Sequence, residues 1–192
     1  ILYQVGEMLC DPATIVEPHV HLNWFEFTYV LQGKGTIYTN DVAQDVQKNE
    51  LYVSFPQEIH KIESDNLDPL RYCFFAFHFS DTEWAHDIID SLLQFKNPNA
   101  RVITSPHYEK YLVNALNYIN NLDSPLMEKL LEHELMTLII RVAHDAHSVI
   151  QNYHPPKINN QQLLSFNIAN YIDINLTTID NITSLSEIFN YN

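Results

Sequence analysis

Short apolar runs punctuated by turn residues fill the first 80 positions. From Val20 to Ser80 the chain is rich in Tyr, Phe, Val and Ile, with breaks at Gly33, Asn40-Asp41, Lys48-Asn49, Pro56 and Asp65 to Pro69. Short strands at this spacing predict an antiparallel sandwich or barrel. Ile1 to Val20 adds one or two strands around the Asp11-Pro12 turn. In Arg71 to Phe79 (RYCFFAFHF), Tyr72, Phe74, Ala76 and His78 alternate with Cys73, Phe75, Phe77 and Phe79. Both faces of that strand are apolar, so it should line an interior on one side and lie under a second layer on the other.

After Ser80 the period changes from two to about three and a half. Trp84, Ile88, Leu92 and Phe95 predict a helix over Asp81 to Phe95, which Asn97 to Asn99 would end. Ser105-Pro106 and Ser124-Pro125 each read as a helix start, a cap followed by Pro in the first turn. The first opens a helix over His107 to Leu122 with Tyr111, Ala115, Tyr118 and Leu122 on one face. The second opens the longest helix, Leu126 to about Ile150. There Leu131, Leu135, Leu138, Val142 and Val149 form one stripe, which Leu130, Ile139, Ile140 and Ala143 widen. A stripe this wide predicts two partners, the barrel's helices and a second copy of the chain. Tyr153 to Lys157 holds a Pro-Pro pair that no helix continues through, and reads as a stiff linker. Beyond it, Gln161 to Asn175 is amphipathic, and Thr183-Ser184 caps another helical start.

Composition narrows the functional classes. A net charge of −14 disfavours direct contact with nucleic acid, because phosphate contacts need clustered Lys and Arg. Two cysteines, Cys10 and Cys73, read as buried thiols of an intracellular protein. Neither a membrane span nor a secretion signal is visible, so a cytoplasmic location is expected. Three glycines leave no phosphate-binding loop, and no Ser, His and Asp set suggests a nucleophilic triad. The start at Ile1 and a helical pattern cut at Asn192 read as a segment of a longer protein.

The chemistry concentrates in Pro18 to Gly35 (PHVHLNWFEFTYVLQGKG). His19 and His21 stand two apart and so share one face of an extended strand. Glu26 follows on a strand able to return beside them, and Glu50 to His60 (ELYVSFPQEIH) adds a third histidine after a proline turn. Three imidazoles and a carboxylate are a donor set for a divalent metal. The arrangement resembles the cupin superfamily, whose first motif carries His-x-His, a Glu and a Gly, and whose second carries a Pro, a Gly and a His. Glu50 and Glu58 stand near where that second motif has glycines. The resemblance implies a cupin-like antiparallel β-barrel, with His19, His21, Glu26 and His60 holding either a metal or an effector.

Barrel, helices, linker and tail in this order resemble the AraC family of transcription regulators. The barrel's share of the likeness is Tyr29-Val30-Leu31, Gly33, Gly35, Pro56, His60 and Arg71 to Phe79. In the tail it is Tyr171, Ile172 and Asn175, then Leu185, Ile188, Phe189 and Tyr191. The resemblance implies a mainly β, then α chain: an effector-binding barrel over residues 1–80 and a helical dimerisation extension over 81–152. A linker at 153–159 and the start of a helix-turn-helix domain at 160–192 would follow. It further implies a homodimer through Leu131, Leu135, Leu138 and Val142, and DNA binding by the full-length protein only. The recognition helix would lie past Asn192, and no Lys or Arg follows Ile158. The expected effector is a small polar molecule such as a sugar, held by His19, His21, Trp24, Glu26, His60 and Arg71. Such a regulator has no catalytic residues and requires no cofactor. The alternative is a metal-dependent cupin enzyme of dioxygenase or isomerase type, in which His19, His21, Glu26 and His60 bind the metal.

Overall fold

The computed structural model describes residues 2–80, 83–97, 101–121 and 124–146, with the single positions 168 and 189. The expected linker at 153–159 lies outside the described residues. So does the expected helix-turn-helix segment at 160–192, apart from Ile168 and Phe189, which are both helical.

Among the described residues, nine strands form two antiparallel sheets. The strands are β1 Leu2–Leu9, β2 Ile15–Val20, β3 Phe25–Gln32, β4 Lys34–Thr39, β5 Val42–Gln47, β6 Glu50–Ser54, β7 Ile59–Ser64, β8 Arg71–His78 and β9 Val102–Thr104. One sheet has the order β1-β8-β3-β6-β9 and the other β2-β7-β4-β5. This corrects the expected barrel. Among the described residues no ladder joins an edge of one sheet to an edge of the other, so the strands form a sandwich. What holds the sheets together is side-chain packing: Val30, Ile37, Val46, Tyr52, Ile62 and Tyr72 form a buried cluster between them.

Three helices cover the outer face of the five-stranded sheet. They are α1 His86–Leu92 (continued by a 3-10 turn, Leu93–Lys96), α2 Glu109–Ile119 and α3 Pro125–Ala146. β3 and β8 are buried on both faces for this reason. Phe25, Phe27 and Tyr29 point at the helices, while Glu26, Thr28 and Val30 face the second sheet, and all six are buried. α1 begins later than the pattern predicts, so Trp84 precedes it, half exposed, with its ring edge-on to Phe79. β9, inside the segment read as helical, pairs with the β6 edge through Leu51 and Ile103. Three residues are too few to show an alternation.

On α3, the four residues expected at a dimer interface are covered within the chain itself. Leu131 is 1% exposed, and Leu135, Leu138 and Val142 are each 0% exposed, packed in this chain's own core. The face they leave outward carries Leu126, Leu130, His133, Thr137 and Ile140, none of them buried.

Turn chemistry sets the registers. Asn40 and Asp41, at φ 47° and 68°, make the two-residue hairpin between β4 and β5, where both central residues need positive φ. Gly33 joins β3 to β4 at φ 78°, and a Cβ there would sit 2.0 Å from the Pro69 carbonyl oxygen. Gly33→Ala should therefore cost about 2 kcal/mol or more, combining the left-handed penalty with a backbone collision. A lowered urea midpoint at unchanged slope would show it. An unchanged midpoint would mean that the Pro69 segment yields freely.

Candidate metal centre

The four residues of the sequence motif meet at one end of the sandwich. His19 on β2 is paired in register with His60 on β7, so their side chains share a face, with ring centroids 4.1 Å apart. Pro18, which lacks an amide hydrogen, sits at the register shift between Val16 and His19. β2 lies at the edge of its sheet, where that missing donor is tolerated. Glu26 faces the two histidines from β3 of the opposite sheet, and His21 lies in the connection between β2 and β3. One donor atom from each of the four lies within 4.8 Å of the others.

Hydrogen bonds fix which ring nitrogens face inward. His19 Nδ1 bonds the Glu17 carbonyl at 2.9 Å and His60 Nδ1 the Glu58 carbonyl at 3.3 Å. A carbonyl only accepts, so each Nδ1 carries a hydrogen, and in the neutral ring Nε2 then keeps its lone pair. This is the arrangement metal-binding histidines adopt. His21 Nε2 lies 3.2 Å from Glu26 Oε2. His60 Nε2 is 3.6 Å from Glu26 Oε1, too far for a hydrogen bond, and is buried without a hydrogen-bond partner. Ser54 Oγ is likewise buried and unpaired, on the residue paired in register with Glu26. Buried polar atoms normally find partners, so two orphans on this one face mark a place built for an occupant.

Electrostatics agree with a ligand role. Burial, and then the neighbouring His60, lowers the His19 pKa to about 4, so this ring is neutral near pH 7. Burial would raise Glu26, but the His21 hydrogen bond and the nearby His60 outweigh it and hold the carboxyl well below the usual range. Neutral imidazoles and an ionised carboxylate are the protonation states a metal requires. The spacing is compact: two donor pairs stand 3.2 and 3.6 Å apart, and all four donors lie within 4.8 Å of one another.

The other two expected effector residues are not part of the cluster. Arg71, at the far end of β8, is exposed and paired with Glu7 at 2.5 Å. Its strand position is opposite Gln32, whereas Glu26 is opposite Ala76. Arg71 therefore lies apart from the four clustered residues. Trp24 is half-buried at the cluster's end of the sandwich, with its ring centroid 6.3 Å from that of His78. A groove of about 590 Å³ at the opposite end of the four-stranded sheet is lined by Lys34, Thr36, Asp45, Glu50, Glu63 and Asp65. Without convergent, desolvated donors it is a weaker site than the histidine cluster. Both Cys10 and Cys73 are buried free thiols. Burial raises the thiol of Cys73 to about 12, which makes it unreactive.

Sequence reasoning missed Glu58 and Arg101, a buried ion pair beside the cluster. The partners stand 43 residues apart, and no local pattern joins them.

A two-sheet antiparallel sandwich thus carries three histidines and a glutamate clustered at one end. A family model described as the AraC-like ligand binding domain matches residues 2–136, and the chain belongs to that family. Among solved structures it is similar to oxalate decarboxylase of Bacillus subtilis, with 20% identity over 42% of this chain and 22% of that one, at a TM-score of 0.37. A vicilin from tomato, Solanum lycopersicum, gives 23% identity over 41% and 23% of the two chains, also at 0.37. For a cupin protein from Bacteroides fragilis the figures are 18%, 41% and 66%, at 0.37. The chain thus spans less than a quarter of the length of the decarboxylase and of the vicilin. No match is found among curated proteins. No helix among the described residues is long and apolar enough to cross a membrane.

Proposed function

We propose that this chain is the effector-sensing part of a transcription regulator, and that its sensing site is a divalent-metal centre held by His19, His21, Glu26 and His60. Membership of the AraC-like ligand binding family supports the sensing role. The metal rests on one observation above all: His60 Nε2 is buried without a hydrogen-bond partner while its Nδ1 is pinned to a carbonyl. When bound, the metal would supply a Lewis-acidic attachment point for an oxygen-bearing small effector. The chain's own contributions are distinct. Glu26 offsets the ion's charge, the carbonyls of Glu17 and Glu58 orient two imidazoles, and the Ser54 hydroxyl offers the effector a hydrogen bond. Trp24 at the rim offers an aromatic face. Signalling would pass from the sandwich to the helices, and through the segment beyond Ala146 to a DNA-binding domain. Effector affinities that differ between two arrangements by about 1–3 kcal/mol would be sufficient.

The same donor set also favours a second reading, a metal-dependent enzyme, because three histidines and a carboxylate leave positions open on a six-coordinate ion. The test is to measure metal content before and after chelation, then screen small carboxylates and sugars for metal-dependent binding and for turnover. Binding without turnover supports the sensor, and turnover supports the enzyme. An absence of stoichiometric metal removes the metal from both.

A further inference from the structure

Glu58 and Arg101 face each other through two hydrogen bonds in the protein interior. Arg101 Nη1 donates to Glu58 Oε2 at 2.5 Å and Nη2 to Oε1 at 2.8 Å, with the side chains 1% and 5% exposed. The guanidinium stacks 5.2 Å from the Phe55 ring and also donates to the Lys96 carbonyl, in the 3-10 turn after α1, at 3.3 Å. Glu58 Oε2 in turn accepts from the Phe55 amide at 3.2 Å.

These contacts converge on one tight turn. Phe55-Pro56-Gln57-Glu58 closes with the Glu58 amide donating to the Phe55 carbonyl at 3.3 Å, and Gln57 stands at φ 66°. Pro at its second position and positive φ at its third make it a type II turn. Its backbone reaches two of the four cluster residues. The Gln57 amide donates to the His21 carbonyl at 2.8 Å, and the Glu58 carbonyl accepts from His60 Nδ1 at 3.3 Å. The turn that Arg101 clamps is therefore the turn that orients His60 and anchors His21. Stability alone does not account for such a pair, since an apolar replacement of a buried ion pair is often neutral or stabilising.

We propose that Arg101 is a positioning residue for the metal centre, acting through Glu58 and the Phe55–Glu58 turn, and that it ties occupation of the centre to the α1 and 3-10 unit. The proposal rests on the metal reading above. It is an outer-shell role that crosses layers: an imidazole, a turn carbonyl, a carboxylate, a guanidinium and a helical carbonyl in series. A metal held by His60 would bear on the Glu58 carbonyl through Nδ1, and Arg101 would link that turn to the Lys96 carbonyl.

The test compares the full chain with the Glu58→Gln/Arg101→Met double variant and with Arg101→Lys. The double variant leaves no orphaned charge and keeps an acceptor for the Phe55 amide. Arg101→Lys keeps the charge but not the two-point fork. Co²⁺ is the probe, titrated by its visible absorption. The double variant is expected to unfold cooperatively like the parent and to bind Co²⁺ roughly 10–100-fold more weakly, the usual effect of losing an outer-shell partner. Arg101→Lys should show a smaller loss in the same direction. Hydrogen exchange over residues 86–96 should slow when Co²⁺ binds the parent and should not respond in the double variant. Parent-like Co²⁺ affinity in both variants, or metal-independent exchange in the parent, would overturn the proposal. A parent that takes up no Co²⁺ overturns the metal reading and the proposal with it. Intact parent binding beside unchanged variants overturns the positioning role alone.

Discussion

His60→Ala should abolish stoichiometric divalent-metal binding and leave the metal-free protein nearly as stable as its parent. The two halves of this expectation have separate causes. In the metal-free chain His60 Nε2 is buried without a hydrogen-bond partner, an arrangement that costs about 1–3 kcal/mol of desolvation. Removing the ring relieves that cost and leaves a cavity of opposing effect, so the net change is small. With metal the balance differs. An ion at 100 times its Kd adds about 2.7 kcal/mol to the folded state. For a domain of this size that is about 5–10 °C in Tm, at 2–4 °C per kcal/mol. The parent should show this shift with Zn²⁺ and lose it on chelation, and His60→Ala should show none. Paired melting curves with and without Zn²⁺ decide the matter. A parent melt indifferent to Zn²⁺ would refute the metal centre, whereas an equal shift in His60→Ala would place the binding elsewhere.

Leu135→Glu or Leu138→Glu should unfold the chain rather than give a folded monomer. Both side chains are 0% exposed against the helix-facing side of the five-stranded sheet. Each substitution forfeits about 1.5–3 kcal/mol of apolar burial and forces a carboxylate into an apolar site, which costs several kcal/mol more. The sum approaches the whole stability of an ordinary domain, about 5–15 kcal/mol. Circular dichroism should show loss of the cooperative transition, and light scattering should show aggregation. Ile140→Glu, on the outward face at 49% exposure, should fold normally, with a stability change within about 0.5 kcal/mol. If copies associate through α3, this is the variant that separates them. A well-folded, monomeric Leu135→Glu protein would show that the inner and outer faces of α3 have been assigned the wrong way round.

Local chemistry made much of the fold legible. Alternation in Tyr72 to Phe79 marks a strand with two apolar faces, because residues two apart share a side of any strand. Those faces are the inter-sheet cluster and the helical layer. Ser124-Pro125 marked the start of α3 to within a residue. The donor set was legible too, since His19, His21, Glu26 and His60 are the residue types a divalent ion selects. Arg71 is the first residue of β8, and what its charge meets, Glu7 on the neighbouring strand, is a pairing no local pattern reveals.

By itself the sequence determined most strands of the two sheets, the starts of α2 and α3 and the residue types of the cluster, all consequences of spacing along the chain. Only the tertiary structure decided whether the strands close or stack, which stripe of α3 is covered, and that Arg101 reaches across to Glu58. Those outcomes depend on how sheet edges and helices dock. An apolar stripe requires a cover without specifying whether this chain or another supplies it, and an ion pair between residues 43 apart leaves no trace in either residue's local pattern.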